Sequence, residues 1–186
     1  MAEYNSLTNQ FLLAMPTLAD DNFTRSVTLV CEHTENGALG IMINRPTNLT
    51  LSEIFIQLDL NEKNTATTRP VHFGGPVQSE RGLVLHEGIG NWQYTLPITD
   101  SLGLTTSRDI LSAMADGTGP QSYLFVLGYA GWAGGQLEHE IQQNSWLIVP
   151  ASRKILFNTP VEERWTRAAQ MAGIDITRVS SEVGHA

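Results

Sequence analysis

Residues 139–143, His-Glu-Ile-Gln-Gln, contain the first part of a zinc-peptidase motif and fall on a predicted helix. Such a site needs histidines at positions i and i+4, because both imidazoles then bind one metal from one helical face, with the intervening glutamate as base. Gln143 stands at the fourth position after His139. Amide side chains are poor zinc ligands, so the spacing predicts a solvated helix face and no metal site.

A glycine-rich segment, residues 128–135, follows a predicted buried strand and precedes a predicted helix. A glycine turn before a helix N-terminus can bind an anion through free N–H groups and the helix dipole. However, the spacing is not G-x-G-x-x-G, and Lys154 stands roughly 20 positions on, where a dinucleotide site needs an acid. We expect no cofactor, and interpret the glycines as permitting close packing around Tyr129 and Trp132. Nucleotide binding is the weaker alternative.

Cys31 and His33 have the residue types of a thiol nucleophile and its base. Alternate residues of a strand lie on the same face, so the two side chains could share a side of the sheet. A catalytic thiol also needs a lowered pKa and an oriented base, for which the sequence gives no signal. We therefore predict that Cys31 is buried as a small apolar residue, and we assign no catalytic residue. A non-enzymatic role is favoured, and enzymatic activity stays open.

The distribution of cations is uneven in this acidic chain. Of 186 residues, 11 are Lys or Arg and 19 are Asp or Glu, a net charge of −8, and Lys63 and Lys154 are the only lysines. This balance argues against direct DNA binding, which depends on cationic side chains that displace phosphate counterions. A lone cysteine favours a reducing compartment, and no stretch reaches the roughly 18 apolar residues of a membrane span. We expect a cytoplasmic protein without a membrane segment.

The main candidate site is formed by four arginines that stand next to small polar residues, namely Arg25, Arg45, Arg81 and Arg108. They either pair with carboxylates such as Glu32, Glu80, Asp109 and Glu138, which we favour, or converge with His86 or Tyr129 on a surface. Such a surface would bind a small anionic ligand or a protein partner. The full candidate set is Arg25, Asn44, Arg45, Arg81, His86, Arg108, Tyr129, Gly131 and Trp132.

The elements that must position these residues begin with short strands. A hairpin is predicted from residues 26–31 and 38–43, because Asn36-Gly37 between them is a strong turn signal. Thr50 and Glu53 have capping-box spacing, which predicts a helix over residues 51–58. Further strands are expected at residues 71–73, 82–86 and 94–98.

Helices and strands alternate irregularly in the second half. Helices are predicted at residues 107–115, ending at Gly117, and at 135–143, with strands at 121–127, 146–149 and 154–157. A last helix should start with Thr159 as N-cap and Pro160 at the first helical position, and stop at Gly173. Because the order is not a strict βαβα alternation, the pattern favours an α+β fold with a mixed sheet.

Several segments together resemble one family, the AlgH-like (YqgE) bacterial proteins, over nearly the whole chain. The resemblance implies a single α+β domain over residues 1–186, with a branched mixed sheet, a small barrel-like portion and about four surrounding helices. It transfers no catalytic residue. The matching segments lie at residues 11–16, 23–27, 31–33, 37–40, 43–46, 74–77, 81–82, 85–86, 106–111, 127–132, 135–138, 144–147 and 184–186.

Two functions follow as hypotheses. The first is a cytosolic regulatory or interaction protein, since the family name derives from a proposed role in regulating alginate synthesis and no motif supplies a DNA-contacting element. The alternative is a small-anion-binding protein or an enzyme that uses an arginine pocket. The ligand, the protein partner and the oligomeric state are left open.

Overall fold

A computed structural model describes residues 5–15, 23–63 and 69–174. Ten strands and five α-helices are found in these ranges, with a short 3-10 helix at Val161–Glu163. The strands are β1 Gln10–Ala14, β2 Val27–Thr34, β3 Gly37–Met42, β4 Pro46–Thr50, β5 Pro70–Phe73, β6 Val77–Glu87, β7 Thr95–Pro97, β8 Leu102–Thr105, β9 Tyr123–Ala133 and β10 Trp146–Pro150. The α-helices are α1 Leu51–Gln57, α2 Arg108–Asp116, α3 Gln136–Gln142, α4 Arg153–Phe157 and α5 Arg164–Met171.

The strands form one curled, branched sheet. Its main path runs β10-β1-β2-β3-β9-β6-β8-β7, and β5 leaves this path by pairing with β9, with β4 beside it. The β5–β9 pair is parallel and the other strand pairs are antiparallel. The predicted α+β fold with a branched, mixed sheet is confirmed, with five α-helices where about four were expected.

Strand β9 is the branch point, and it passes through the glycine-rich segment. Its first part pairs with β6 and β5, and its last four residues pair with β3. Gly128 has φ +74°, and a Cβ there would lie 2.3 Å from the Gly75 carbonyl oxygen. The prediction of a glycine turn over residues 128–135 is therefore wrong for residues 128–133, because these glycines let a strand bend between two partners.

The β2–β3 hairpin is confirmed, and it carries a bulge. The register shifts between Val30 and Glu32, which leaves Cys31 as the extra residue. Cys31 packs in one core cluster, whereas the His33 imidazole meets Glu138 of α3. The expectation that the Cys31 and His33 side chains share a face is wrong, because the bulge breaks the strand alternation.

The predicted capping box of α1 and the predicted stop of α2 are confirmed, whereas the N-cap of α2 is Ser107, without a side-chain cap, and not Thr106. Thr50 and Glu53 form the reciprocal capping box of α1, and Gly117 ends α2 in the left-handed conformation. These signals depend on residues only a few positions apart, which is why the sequence predicts them.

Two predictions near the C-terminus are wrong. Residues 154–157 are part of α4 and not a strand, since the Ser152 side chain accepts a hydrogen bond from the Ile155 N–H and caps a helix. Thr159 is not an N-cap, because its hydroxyl donates to the Lys154 carbonyl at the end of α4. The 3-10 turn follows, and α5 starts at Arg164.

Three apolar clusters hold the sheet and helices together. One lies where β1, β2, β6 and β9 meet α4 and α5, a second lies under α1 and α2, and a third contains Trp132 and Trp146 beside α3. In the part of the chain that the structure describes, no helix is both long and apolar enough to cross a membrane.

Candidate anion-binding pocket

A pocket of about 340 Å³ lies between the start of β5, the start of β9 and the segment that joins α4 to α5. Three stretches of chain that are far apart in sequence meet here, because β5 and β9 are parallel neighbours and residues of the segment from Phe157 to Arg164 line the same pocket. No Asp or Glu is among its described lining residues. We call it the arginine pocket, lined by Arg69, Pro70, His72, Tyr123, Leu124, Phe125, Phe157, Thr159, Pro160, Val161 and Arg164.

Arg164 is a buried cation without a carboxylate partner among the described residues. Its side chain donates from Nε to the Thr159 carbonyl (3.1 Å) and from Nη1 to the Ile43 carbonyl. Only 6% of the residue is exposed. Burial lowers the pKa of Arg164 to about 10, and the nearby charge of Glu162 partly opposes this shift. At neutral pH the guanidinium is therefore charged and held by neutral carbonyls, an arrangement that an anion would stabilise.

His72 stands in the same wall as a neutral imidazole. It is 4% exposed, and neither ring nitrogen has a hydrogen-bond partner among the described residues. Burial, with a smaller contribution from the Arg164 charge, lowers the pKa of His72 to about 4. The Phe125 backbone opposes this lowering of the pKa, although it does not form a hydrogen bond with either ring nitrogen of His72. His72 thus leaves two polar atoms unsatisfied beside a buried cation, which is uncommon in a native core.

Arg69 and Tyr123 form a cationic, aromatic part of the lining. The Arg69 guanidinium carbon lies 4.6 Å from the centroid of the Tyr123 ring, a cation–π contact. Burial raises the pKa of Tyr123, and the charge and hydrogen bonding of Arg69 oppose this rise. Arg69 itself is exposed, so a second positive charge stands where solvent meets the pocket.

The chemistry that this arrangement offers is binding of an oxyanion. Two guanidinium groups supply donors in the planar geometry that carboxylates and phosphates accept. The Thr159 hydroxyl is already engaged with the Lys154 carbonyl, and no Cys or Ser is among the described lining residues. Across the described ranges, no group of three or more His, Cys, Asp or Glu residues is placed to hold a metal ion.

Arg164 was missed by sequence reasoning although a signal for it exists. Arg164, Trp165, Ala168 and Ala169 are the buried residues of α5. This i, i+1, i+4, i+5 spacing describes one helix face, and an arginine inside an apolar face is expected to be buried. Arg69 and His72 carry no comparable local pattern, because only long-range packing brings them to Arg164.

Of the predicted candidates, Arg25, Asn44 and Arg45 lie together. Asn44 Nδ2 donates to the Arg25 carbonyl (3.0 Å), and Asn44 Oδ1 accepts from the Val27 N–H (2.9 Å). Arg45 Nη2 donates to the Thr24 carbonyl, so the loop before β2 and the β3–β4 junction are held to each other. The same junction accepts the hydrogen bond from Arg164, at Ile43. The Arg25 guanidinium carbon lies 5.3 Å from the Trp165 ring centroid.

Arg81 lies on β6, Tyr129 lies in the part of β9 that pairs with β6, and Gly131 lies two residues further on, where β9 pairs with β3. Arg81 Nη1 donates to Gln78 Oε1 (3.2 Å), and Val77 is the register partner of Tyr129. A Cβ at Gly131 would lie 3.9 Å from the side chains of both Tyr129 and Val77, so Gly131, Tyr129 and Val77 are neighbours on one surface.

His86 and Arg108 are placed elsewhere. His86 is fully buried, with its ring nitrogens bonded to Thr105 Oγ1 (2.6 Å) and the Gly88 carbonyl (2.8 Å). Burial lowers the pKa of His86, and the Gly88 hydrogen bond opposes this. Arg108 donates to the Leu58 carbonyl at the end of α1.

The prediction that these arginines pair with carboxylates is wrong for the described residues. Arg25, Arg45, Arg81 and Arg108 form no ion pair there, and the contacts found go to backbone carbonyls, an amide oxygen and an indole ring. Two of the four expected carboxylates have other partners. Asp109 accepts from Ser107 and from the Gln93 N–H, and Glu138 binds His33.

Trp132 and the zinc-like segment form a structural cluster beside α3. Glu140 Oε2 accepts from the indole N–H groups of Trp132 (2.8 Å) and Trp146 (3.0 Å), whose rings meet edge to face. His139 is exposed, as a solvated helix face predicts, but Glu140 is not part of that face. Cys31 is buried as predicted, and burial raises the pKa of its thiol.

Two solved structures share this fold. The solution structure of AlgH from Pseudomonas aeruginosa aligns with 100% of this chain and 99% of its own, at 44% identity and a TM-score of 0.81. A crystal structure of a protein from Corynebacterium diphtheriae aligns with 91% of this chain and 89% of its own, at 18% identity and a TM-score of 0.69, and supports the fold alone.

Relatives with about half of their residues identical to this chain match it over nearly its whole length. A UPF0301 protein of Saccharophagus degradans is 53% identical over 99% of this chain and 91% of its own. Another, from Nitrosospira multiformis, is 50% identical over 97% of both chains. The AlgH-like family model, DUF179, matches residues 11–177. With that match spanning most of its length, the chain belongs to the AlgH-like family.

Proposed function

We propose that this chain is a cytoplasmic regulatory or interaction protein that binds a small anion in the arginine pocket. The observation that carries the proposal is Arg164, a buried guanidinium in a pocket whose described lining includes no carboxylate. The other two described pockets each contain an acidic residue, Glu87 and Glu163 respectively. A buried cation that no described carboxylate contacts is costly, and a bound oxyanion adds its negative charge to the more distant influence of Glu162.

The neighbouring groups favour an anion over a neutral ligand. Arg69 adds a second cation on the solvent side of the pocket. His72 is neutral at pH 7, so the imidazole does not add a charge that would repel the Arg164 guanidinium. An incoming oxyanion therefore meets two guanidinium groups and no opposing carboxylate among the described lining residues.

The test is isothermal titration calorimetry of the full chain with inorganic phosphate at pH 7 and low ionic strength. Wild-type protein should bind one phosphate with a dissociation constant of about 1 mM or lower. Arg164→Gln should weaken binding at least about tenfold, as expected for loss of a charge-assisted hydrogen bond. Because Arg164 also holds two carbonyls, Arg69→Gln, which alters an exposed residue, is the second variant and should weaken binding about threefold or more.

The matched control is Arg167→Gln, which removes the same charge from an exposed position on the same helix. Arg167 lies outside the arginine pocket and pairs with Glu163. Phosphate affinity should change little in this variant. Absence of saturable binding in the wild type, or an equal loss in Arg167→Gln, contradicts the proposal.

A regulatory role also needs a partner surface, and we propose the one around Arg25, Asn44 and Arg45. Support comes from the Arg164–Ile43 hydrogen bond, which ties this segment to the arginine pocket. A protein recovered by cross-linking to the wild type should be lost with Arg25→Ala or Arg45→Ala and retained with Arg81→Ala. Equal recovery with Arg25→Ala, Arg45→Ala and wild type refutes this surface. We expect no direct DNA binding at physiological salt, given the net charge of −8.

A further inference from the structure

The arginine pocket is much larger than an inorganic oxyanion requires. Its volume of about 340 Å³ is around ten times the roughly 30 Å³ that one water molecule occupies in the liquid. It falls in the size range of sites for organic ligands, which are usually apolar with a few polar groups that fix orientation. Arg164 and Arg69 therefore account for only part of the ligand.

Most of the remaining lining is apolar and includes aromatic rings. Phe157 is half-buried at the end of α4, and Val161 is half-buried on the 3-10 turn that precedes α5. The Tyr123 ring lines the same pocket, with Arg69 stacked against it. The apolar part of the lining is completed by Pro70, Leu124, Phe125 and Pro160.

A cationic group beside an apolar wall selects for an amphipathic anion. An acid group alone leaves the Phe157 and Val161 side chains in contact with water, and an apolar molecule alone leaves Arg164 without a counter-charge. Aromatic ligands suit such a wall, because ring pairs gain energy beyond the area that they bury.

We propose that the ligand is a small aromatic acid, whose oxyanion pairs with Arg164 and whose ring packs against Phe157 and Val161. The inference rests on the proposed function, since it names the ligand class of the same pocket. A phosphate monoester and a carboxylate share the required oxyanion, and the experiment separates the two.

The experiment compares phenyl phosphate with methyl phosphate, and benzoate with acetate, by calorimetry on the full chain. In at least one pair the aromatic acid should bind about 10- to 100-fold more tightly, the range expected for burying one phenyl group. The pair that shows this preference identifies the acid group. Equal affinities within both pairs overturn the inference but leave anion binding in place, whereas no binding of any of the four overturns both.

Variants of the apolar wall give an independent readout. Phe157→Ala should reduce the preference for the aromatic acid at least about fivefold without changing the affinity for methyl phosphate or acetate. Val161→Ala, a smaller change on the 3-10 turn, should reduce it in the same direction. Met171→Ala is the control, because Met171 is an exposed apolar residue of α5 outside this pocket. A preference that survives both wall variants contradicts the assigned position of the ring.

Discussion

Acidification should destabilise this protein through His72. The imidazole is buried beside Arg164, and its pKa in the folded chain is about 4 instead of the usual 6.5. The unfolded chain therefore binds more protons than the folded chain between these two pH values. The contribution of His72 is unfavourable to folding at low pH and disappears above pH 6.5.

The size of the effect follows from the two pKa values. Each pKa unit corresponds to about 1.4 kcal/mol, so a group that titrates at 4 when folded and at 6.5 when unfolded changes the free energy of unfolding by up to about 3 kcal/mol. Most of this loss, about 2 kcal/mol, is already present at pH 5. It is a large part of the 5–15 kcal/mol that typically stabilises a domain.

The measurement is urea unfolding followed by tryptophan fluorescence at pH 7, 5 and 4, on wild type, His72→Gln and His139→Gln. Other groups also titrate in this range, so the quantity of interest is the difference between wild type and variant at each pH. For His72→Gln this difference should shift by about 3 kcal/mol from pH 7 to pH 4, in favour of the variant. For His139→Gln, which alters an exposed residue, it should stay constant.

Parallel pH curves for wild type and His72→Gln would refute the reasoning. They would mean that the folded chain accommodates a proton on His72 without penalty, and that the imidazole is not held unpaired beside Arg164. If His72→Gln proves too unstable for unfolding curves, His72→Leu provides the same comparison, since it also removes the titrating group.

Three further predictions concern the rest of the molecule. Gly128→Ala should destabilise the fold by about 2 kcal/mol or more in urea unfolding, because the added Cβ would lie 2.3 Å from the Gly75 carbonyl oxygen. Gly135→Ala is the control, because a Cβ there meets open space and the substitution should cost only the strain of its positive φ. Glu140→Ala should cost about 2–3 kcal/mol in the same assay, because it leaves two indole N–H groups without their acceptor. Cys31 in native protein should resist iodoacetamide for hours and react once the chain is unfolded in urea; rapid native modification, detected by mass spectrometry, contradicts its burial.

The parts of the fold that depend on neighbouring residues could be predicted from the sequence. The β2–β3 hairpin, whose turn falls at Glu35-Asn36, the Thr50–Glu53 capping box and the stop at Gly117 each involve residues only a few positions apart. Residues 154–157 mislead because a run of three apolar residues after Lys154 fits a strand as well as a helix. The deciding signal was Ser152, three residues before Ile155, which caps α4.

The candidate site depended on contacts that the sequence alone does not specify. The small polar residues next to an arginine in the sequence do not indicate which group the guanidinium binds. Arg45 and Arg108 bind backbone carbonyls. The arginine pocket unites residues of β5, β9 and α5, and only long-range packing brings His72 and Arg164 into one pocket. The notion of an arginine site in an acidic chain is kept as a proposal, with Arg164 and Arg69 in place of the arginines first considered.

The most direct test of the central claim is a two-dimensional NMR titration of isotope-labelled protein with inorganic phosphate at pH 7. We predict saturable chemical-shift changes centred on the amides of His72, Phe125 and Arg164, with the wild-type affinity lost in Arg164→Gln and kept in Arg167→Gln. Shifts that never saturate, or that centre on a region away from these amides, would contradict anion binding in the arginine pocket.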